Sequence, residues 1–196
     1  MLRCLHEYLT EYSRKMVLVR RFIGFFMGIL MLSCADDVQN VYSKYRAAFT
    51  YNKVTTTAPL YKALTGAGIF CSIYCQGGKI YFNTPYESIY ETLTDINMYM
   101  IPIAFNGFIV GLSNLPEMGT TDLPLLCYDR VCPNCFEESI SPSLTLQENG
   151  FAYCNRCKRK YDLNNLGVIS EGEKGLKLIR YHIMYDGADH LRIYNP

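Results

Sequence analysis

The sequence predicts an all-β protein, and three observations predict it. The chain carries 17 Tyr and 10 Phe but no Trp, and aromatic residues favour pleated, half-buried surfaces. Short β-branched and aromatic runs recur between turn signals such as "QGG", "NG" and "DGAD". The segments that read as helical, "PLYKAL" (59–64) and "YESIYETL" (86–93), offer single turns and cannot organise a helical layer. With 196 residues, of which 49% are hydrophobic, the chain has material for one cored domain plus an appendage, or for two small domains.

The appendage comes first. Residues 16–34 read "MVLVRRFIGFFMGILMLSC". Arg20 and Arg21 precede an apolar run from Phe22 to Leu32, followed by the small Ser33 and by Cys34. A basic stretch, a short apolar stretch and a small residue before a cleavage point form a secretory signal. The run is shorter than the roughly 20 apolar residues a spanning helix needs. "LMLSC" resembles the lipobox of bacterial lipoproteins. That resemblance implies lipidation at Cys34, a membrane anchored through acyl chains, and a place in the bacterial cell envelope on its periplasmic or surface face. Met31 stands where the usual Leu would be. Residues 1–15 fit no signal pattern, so Met16 is the expected start. The charge agrees with a separate leader: residues 1–33 hold five basic and two acidic residues, leaving 14 basic and 16 acidic in the rest. The whole chain carries a formal +1, so nothing in its charge points to nucleic acid. Residues 34–44 read as a tether, and 45–196 as one β domain.

Within that domain, "RAAFTYNKVTTTAPL" (46–60) opens with a strand. "GIFCSIYC" and "GKIYFNTP" flank "QGG" as a hairpin, and "MYMIPIAF" and "FIVGLS" flank Asn106-Gly107 as another. "PLLCYDR" is a strand running into the first cysteine pair. "LKLIRYHIMY" and "HLRIYN" close the chain as a hairpin across "DGAD".

Four cysteines carry the chemistry. Cys132 and Cys135 form one C-x2-C pair, eighteen residues intervene, and Cys154 and Cys157 form the second. A two-residue gap in a tight turn points both sulfurs one way, and two such turns close a tetrahedron of thiolates around one ion. Zinc is the first expectation. Four thiolates also suit iron or a 2Fe-2S cluster, and an envelope compartment permits two disulfides instead. Lys158, Arg159 and Lys160 read as a solvated basic run. Cys71, Cys75 and Cys127 read as small buried thiols. His182 and His190 read as sheet-surface histidines without a nucleophile beside them. No lipase-type G-x-S-x-G, H-E-x-x-H or phosphate loop is present. The tyrosines at 74, 81, 86, 90 and 99 suit either a binding face or ordinary packing.

Residues 105–195 together resemble the Rieske iron–sulfur domain. The features are Tyr128-Asp129 before the first loop, Cys132-Pro133, Cys154, Tyr161-Asp162-Leu163, Gly167, Leu178 with Tyr181, and the run Leu191 to Tyr194. The resemblance implies a Rieske-like antiparallel β-sandwich with a two-loop, zinc-ribbon-like metal-binding subdomain over residues 130–161. It does not imply the family's chemistry. A Rieske centre needs two His on one iron, and the corresponding positions hold Asn134 and Cys157. The expected function is a non-catalytic binding or assembly role for a lipoprotein clamped by structural zinc. The alternative is an electron-transfer protein carrying iron or a cluster at the same four cysteines.

Overall fold

The computed structural model describes residues 42–117 and 119–195. The expected leader with its expected start at Met16, Cys4 and the lipidation candidate Cys34 lie outside the described residues. Twelve strands and two short α-helices follow one another: β1 (Ala47–Tyr51), α1 (Ala58–Thr65), β2 (Phe70–Gln76), β3 (Lys79–Asn83), β4 (Ser88–Thr92), β5 (Phe108–Leu112), β6 (Leu125–Asp129), α2 (Pro133–Glu137), β7 (Thr145–Gln147), β8 (Phe151–Tyr153), β9 (Lys160–Asp162), β10 (Val168–Glu171), β11 (His182–Tyr185) and β12 (Leu191–Asn195). The protein is all-β in architecture, with every strand pair antiparallel.

The strands form three sheets, ordered β1-β12-β11, β4-β3-β2-β5-β6 and β10-β9-β8-β7. The five-stranded sheet is the centre because its middle strands are apolar on both faces. Successive side chains alternate across a strand. Cys71, Ile73, Phe108, Val110 and Cys127 therefore point into one core. Phe70, Ile109, Leu126 and Tyr128 point into the other. The first core is completed by Phe49, Tyr51, Leu191 and Ile193 of the terminal strands and by Leu60, Ala63 and Leu64 of α1. That i, i+3, i+4 spacing makes one apolar helix face, and a proline in the first turn starts the helix without losing a hydrogen bond. The second core receives Leu144, Ala152, Tyr161, Leu163 and Leu178 from the four-stranded sheet and its flanks. β6 is not left as an open edge: Tyr181 N–H donates to the Cys127 carbonyl and Asp129 N–H to that of Ile179, both at 2.9 Å.

The hairpins at Gly77-Gly78 and between β11 and β12 form as the turn signals predict. Two expectations do not hold. "YESIYETL" is not a helical turn; its Ser88–Thr92 pairs along β3, because β3 has a free edge and Ile89 packs on the first core. Asn106-Gly107 is not a hairpin turn either, since β5 pairs with β2 and β6. Gly107 has φ +92, and a Cβ there would lie 2.2 Å from the Ile73 carbonyl oxygen. The glycine serves a close backbone crossing rather than a strand reversal. The preceding segment runs instead beside β1, through a bridge of Ile103 to Ala48.

Tyr42 and Ser43, at the end of the expected tether, are held by the domain. Tyr42 stacks on His182 at 3.6 Å between ring centroids, and Ser43 N–H donates to the Arg180 carbonyl.

Candidate metal centre

The two cysteine pairs are carried by two tight loops that hang from adjacent pieces of sheet. The first begins where β6 ends. Asp129 turns its side chain inward and accepts from the N–H groups of Val131, Phe105 and Asn106 at 2.8, 2.9 and 3.4 Å. Its other bond comes from the Tyr181 hydroxyl at 3.0 Å. On the opposite face of the same strand, the Tyr128 hydroxyl donates to the Leu163 carbonyl at 2.9 Å. Adjacent residues thus tie the loop's base to both cores. Cys132 then caps α2, whose first residue is Pro133, and the Phe136 N–H closes on the Cys132 carbonyl at 3.0 Å. That single turn brings Cys135 round to the side of Cys132.

The second loop is the β8–β9 turn. Lys158 N–H donates to the Cys154 carbonyl, and Cys154 N–H to that of Arg159, both at 2.9 Å. The turn sets Cys154 and Cys157 on its inner side. All four predicted site residues meet: their sulfurs lie within 4.8 Å of one another. Cys132 and Cys157 are 3.6 Å apart, and Cys135 and Cys154 are 3.8 Å apart. Zn–S bonds near 2.3 Å place tetrahedral sulfurs about 3.8 Å apart, so these separations fit one ion. A disulfide needs S–S near 2.05 Å; all four thiols are free. A cluster of two irons takes two sulfurs on each iron and spreads the pairs apart, so the compact arrangement suits a single ion better. Cys132, Cys135 and Cys154 are buried, and Cys157 is partly open. Four cysteines so placed can hold a metal ion. The donor set alone does not choose the metal.

The shell around the sulfurs is built as well. Tyr161, from β9, sets its hydroxyl 3.3 Å from Cys132 Sγ. Asn134 Nδ2 donates to that same hydroxyl oxygen at 2.8 Å, which leaves the tyrosine proton free for the sulfur. Asn134 also reaches the loop before β11. It donates to the Leu176 carbonyl at 2.9 Å and accepts from the Leu176 N–H at 2.8 Å. The residue read from sequence only as a missing histidine is a two-sided clamp. Gly175 permits the approach, since a Cβ there would lie 2.0 Å from Asn134 Oδ1. The basic run is not simply solvated. Arg159 donates to the Glu173 carbonyl and carboxylate at 2.9 and 3.0 Å, and Lys160 pairs with Glu171 at 2.8 Å. The sequence signal was present in "SEGEK", acids opposite a basic turn, but the pairing depends on the β9–β10 register.

Asn134→Ala removes the clamp. We expect trypsin to cut at Lys174 or Lys177, both exposed, at least several times faster in the variant than in the parent protein. Equal cleavage rates would show that the loop is held by other means.

Protonation differs among the thiols. Burial pushes Cys132 and Cys135 up. At Cys157 burial also acts upward, but the N–H and guanidinium of Arg159 and the neighbouring sulfurs outweigh it, bringing the thiol down to about 7. As long as the loops keep this geometry with no metal bound, the contribution of Cys157 to stability is present above the ordinary thiol range and is lost as pH falls through about 7. Those of Cys132 and Cys135 run the other way and are lost as pH rises. When a chelator withdraws the metal at pH 7.5 with iodoacetamide present, Cys157, the partly open ligand, is expected to be modified before the three buried ones, ahead of the opening of the sheet. Peptide mapping reads the order, and faster labelling of Cys135 would contradict it.

The remaining candidates stay outside the centre. Cys71 and Cys127 are buried in the first core, as expected, and burial pushes both thiols up. Cys75 is exposed rather than buried, because it follows the last covered position of β2. His182 lies between Tyr42 and Tyr194, and His190 meets Asn52. Tyr74, Tyr81 and Tyr90 stand side by side across β2, β3 and β4, with Arg130 over Tyr74 and Lys79 over Tyr90.

No family model matches this chain, and neither a curated protein nor a solved structure matches it.

Proposed function

We propose that the protein is an envelope lipoprotein whose Rieske-like domain uses four cysteines to hold one structural zinc, and that its role is binding or assembly rather than catalysis. The observation that carries the reading is the closure of the site. Four protein sulfurs at tetrahedral spacing leave no position for water or substrate, and a closed four-sulfur site is the structural form of zinc. The sulfurs also line the second hydrophobic core, so the ion holds the small sheet to the central one. The Rieske-like part rests on Tyr128-Asp129, Cys132-Pro133, Cys154, Tyr161-Asp162-Leu163 and Gly167 in the sequence. The lipoprotein part rests on Arg20, Arg21, the Phe22–Leu32 run and Cys34 in the sequence. Among the described residues no helix is long and apolar enough to cross a membrane.

Elemental analysis and the visible spectrum test the metal. Colourless protein with one zinc per chain is the expected result. Brown or red protein, purified without air, would instead support iron or a cluster and an electron carrier, for which the Tyr161 hydroxyl on Cys132 would tune the potential.

A further inference from the structure

We infer that an apolar face beside β1 rests on the lipid surface to which the chain is tethered. The inference rests on the anchor reading above. Between Ile96 and Phe105 the sequence carries no charged residue. Residues 101–103 run along the outer side of β1, bridged there by Ile103 to Ala48, and the chain bends over 104–106. Exposed and half-buried residues alternate from Ile101 to Phe105. Ala104 turns inward and packs on the first core. Ile101, Ile103 and Phe105 turn outward and are 37%, 48% and 37% exposed. This reverses the usual pattern, in which outward positions are polar. Tyr45 joins the face, meeting Phe105 edge-on at 4.7 Å and itself 47% exposed. Tyr99, 63% exposed, lies just before it in the chain. A contiguous exposed apolar face of this kind marks an interaction surface.

Three observations select lipid as the occupant. The first is reach. Tyr42, the first described residue, lies eight positions after Cys34 and stacks on His182. Fully extended, that length spans at most about 29 Å. An acylated Cys34 therefore keeps this face within a short distance of the bilayer, at high effective concentration. The second is composition. Tyr, Ile and Phe on one face suit the boundary between headgroups and acyl chains, where tyrosines concentrate. The third is charge. The exposed Lys44 and Arg46 flank Tyr45 in the sequence, and basic residues beside an apolar face suit anionic headgroups. Phe136 of α2 packs on both Phe105 and Tyr45. A domain seated on this face therefore holds its first ligand loop towards the membrane.

Because the chain has no Trp, a single introduced tryptophan reports alone. Ile103→Trp puts it on the face. Tyr86→Trp puts it at the exposed β3–β4 turn, the far end of β4 from Ile96. Each full-length chain is purified in its processed form, checked by mass spectrometry for acyl groups on Cys34, and reconstituted in phosphatidylethanolamine–phosphatidylglycerol vesicles with brominated acyl chains. Ile103→Trp emission should shift to shorter wavelength and be quenched, while Tyr86→Trp emission stays unchanged. Adding Ile101→Ser and Phe105→Ser to the Ile103→Trp chain should largely remove the quenching. Unquenched emission from Ile103→Trp in a chain acylated at Cys34 overturns the docking and leaves the anchor standing. A blue shift without bromine quenching, together with a dimer in detergent, overturns it in favour of a second copy of the chain. Absence of acylation overturns the anchor alone. The same chains mixed with the same vesicles then test the face, and quenching confined to Ile103→Trp still supports it.

Discussion

On the proposed structural zinc, removing the metal, or replacing Cys154 by Ser, is expected to unfold the small sheet and lower the melting temperature. Structural zinc sites contribute apparent binding energies of about 10–16 kcal/mol near neutral pH, against a total domain stability of about 5–15 kcal/mol. Here the four sulfurs are part of the second core, packed with Phe70, Ile109, Tyr128, Tyr161 and Leu178. Strands β7 to β10 are only three or four residues long and cannot hold together on their own ladders. On the zinc reading, loss of the ion removes what joins this sheet to the central one. Near-ultraviolet circular dichroism reads the change through Tyr128 and Tyr161, with no tryptophan to obscure them. Cys75→Ser, at an exposed site outside the centre, should melt with the parent protein. If the chelated protein and Cys154→Ser keep the parent melting temperature, the ion is not structural.

Asp129→Asn should cost about 3 kcal/mol or more, the scale of breaking a buried charged hydrogen-bond network. Asp129 is fully buried. Burial pushes its carboxyl up, and the N–H groups of Phe105 and Val131 and the Tyr181 hydroxyl pull it back towards the ionised form. Three of its four partners are backbone N–H groups, which can only donate. An amide in its place must turn its own NH2 against at least one of them. The substitution keeps shape and size, so the loss reads the hydrogen bonds and not a cavity. Tyr181→Phe, which removes one donor, should cost about 1 kcal/mol. Urea denaturation separates the two; equal midpoints for Asp129→Asn and the parent would contradict the account.

The sequence showed best what local chemistry decides. The Gly77-Gly78 turn, the closing hairpin, the strand into Cys132 and the four-cysteine spacing were all legible, because turn residues and ligand pairs act over a few positions. What it concealed depends on neighbours far along the chain. Ile89 and Leu93 fit a helical turn as well as a strand, and only the free edge of β3 decides between them. Gly107 looks like a hairpin glycine, yet its backbone is fixed by the Ile73 carbonyl. Asn134 carries no sign that Leu176, forty-two residues on, is its partner. Nothing local marks Asp129 as the acceptor that joins the first ligand loop to Tyr181.

The pairing of β1 with β12 has a consequence for how the protein comes into being. The first strand of the fold cannot settle until the last has emerged, because its ladder partners are Leu191 to Asn195. Such non-local pairing makes folding slow and leaves apolar strands uncovered meanwhile. On the proposed envelope reading, in which the chain is exported unfolded, this delay is an advantage. The domain cannot lock before its final residues have passed, and a chain cut short before Leu191 would never close.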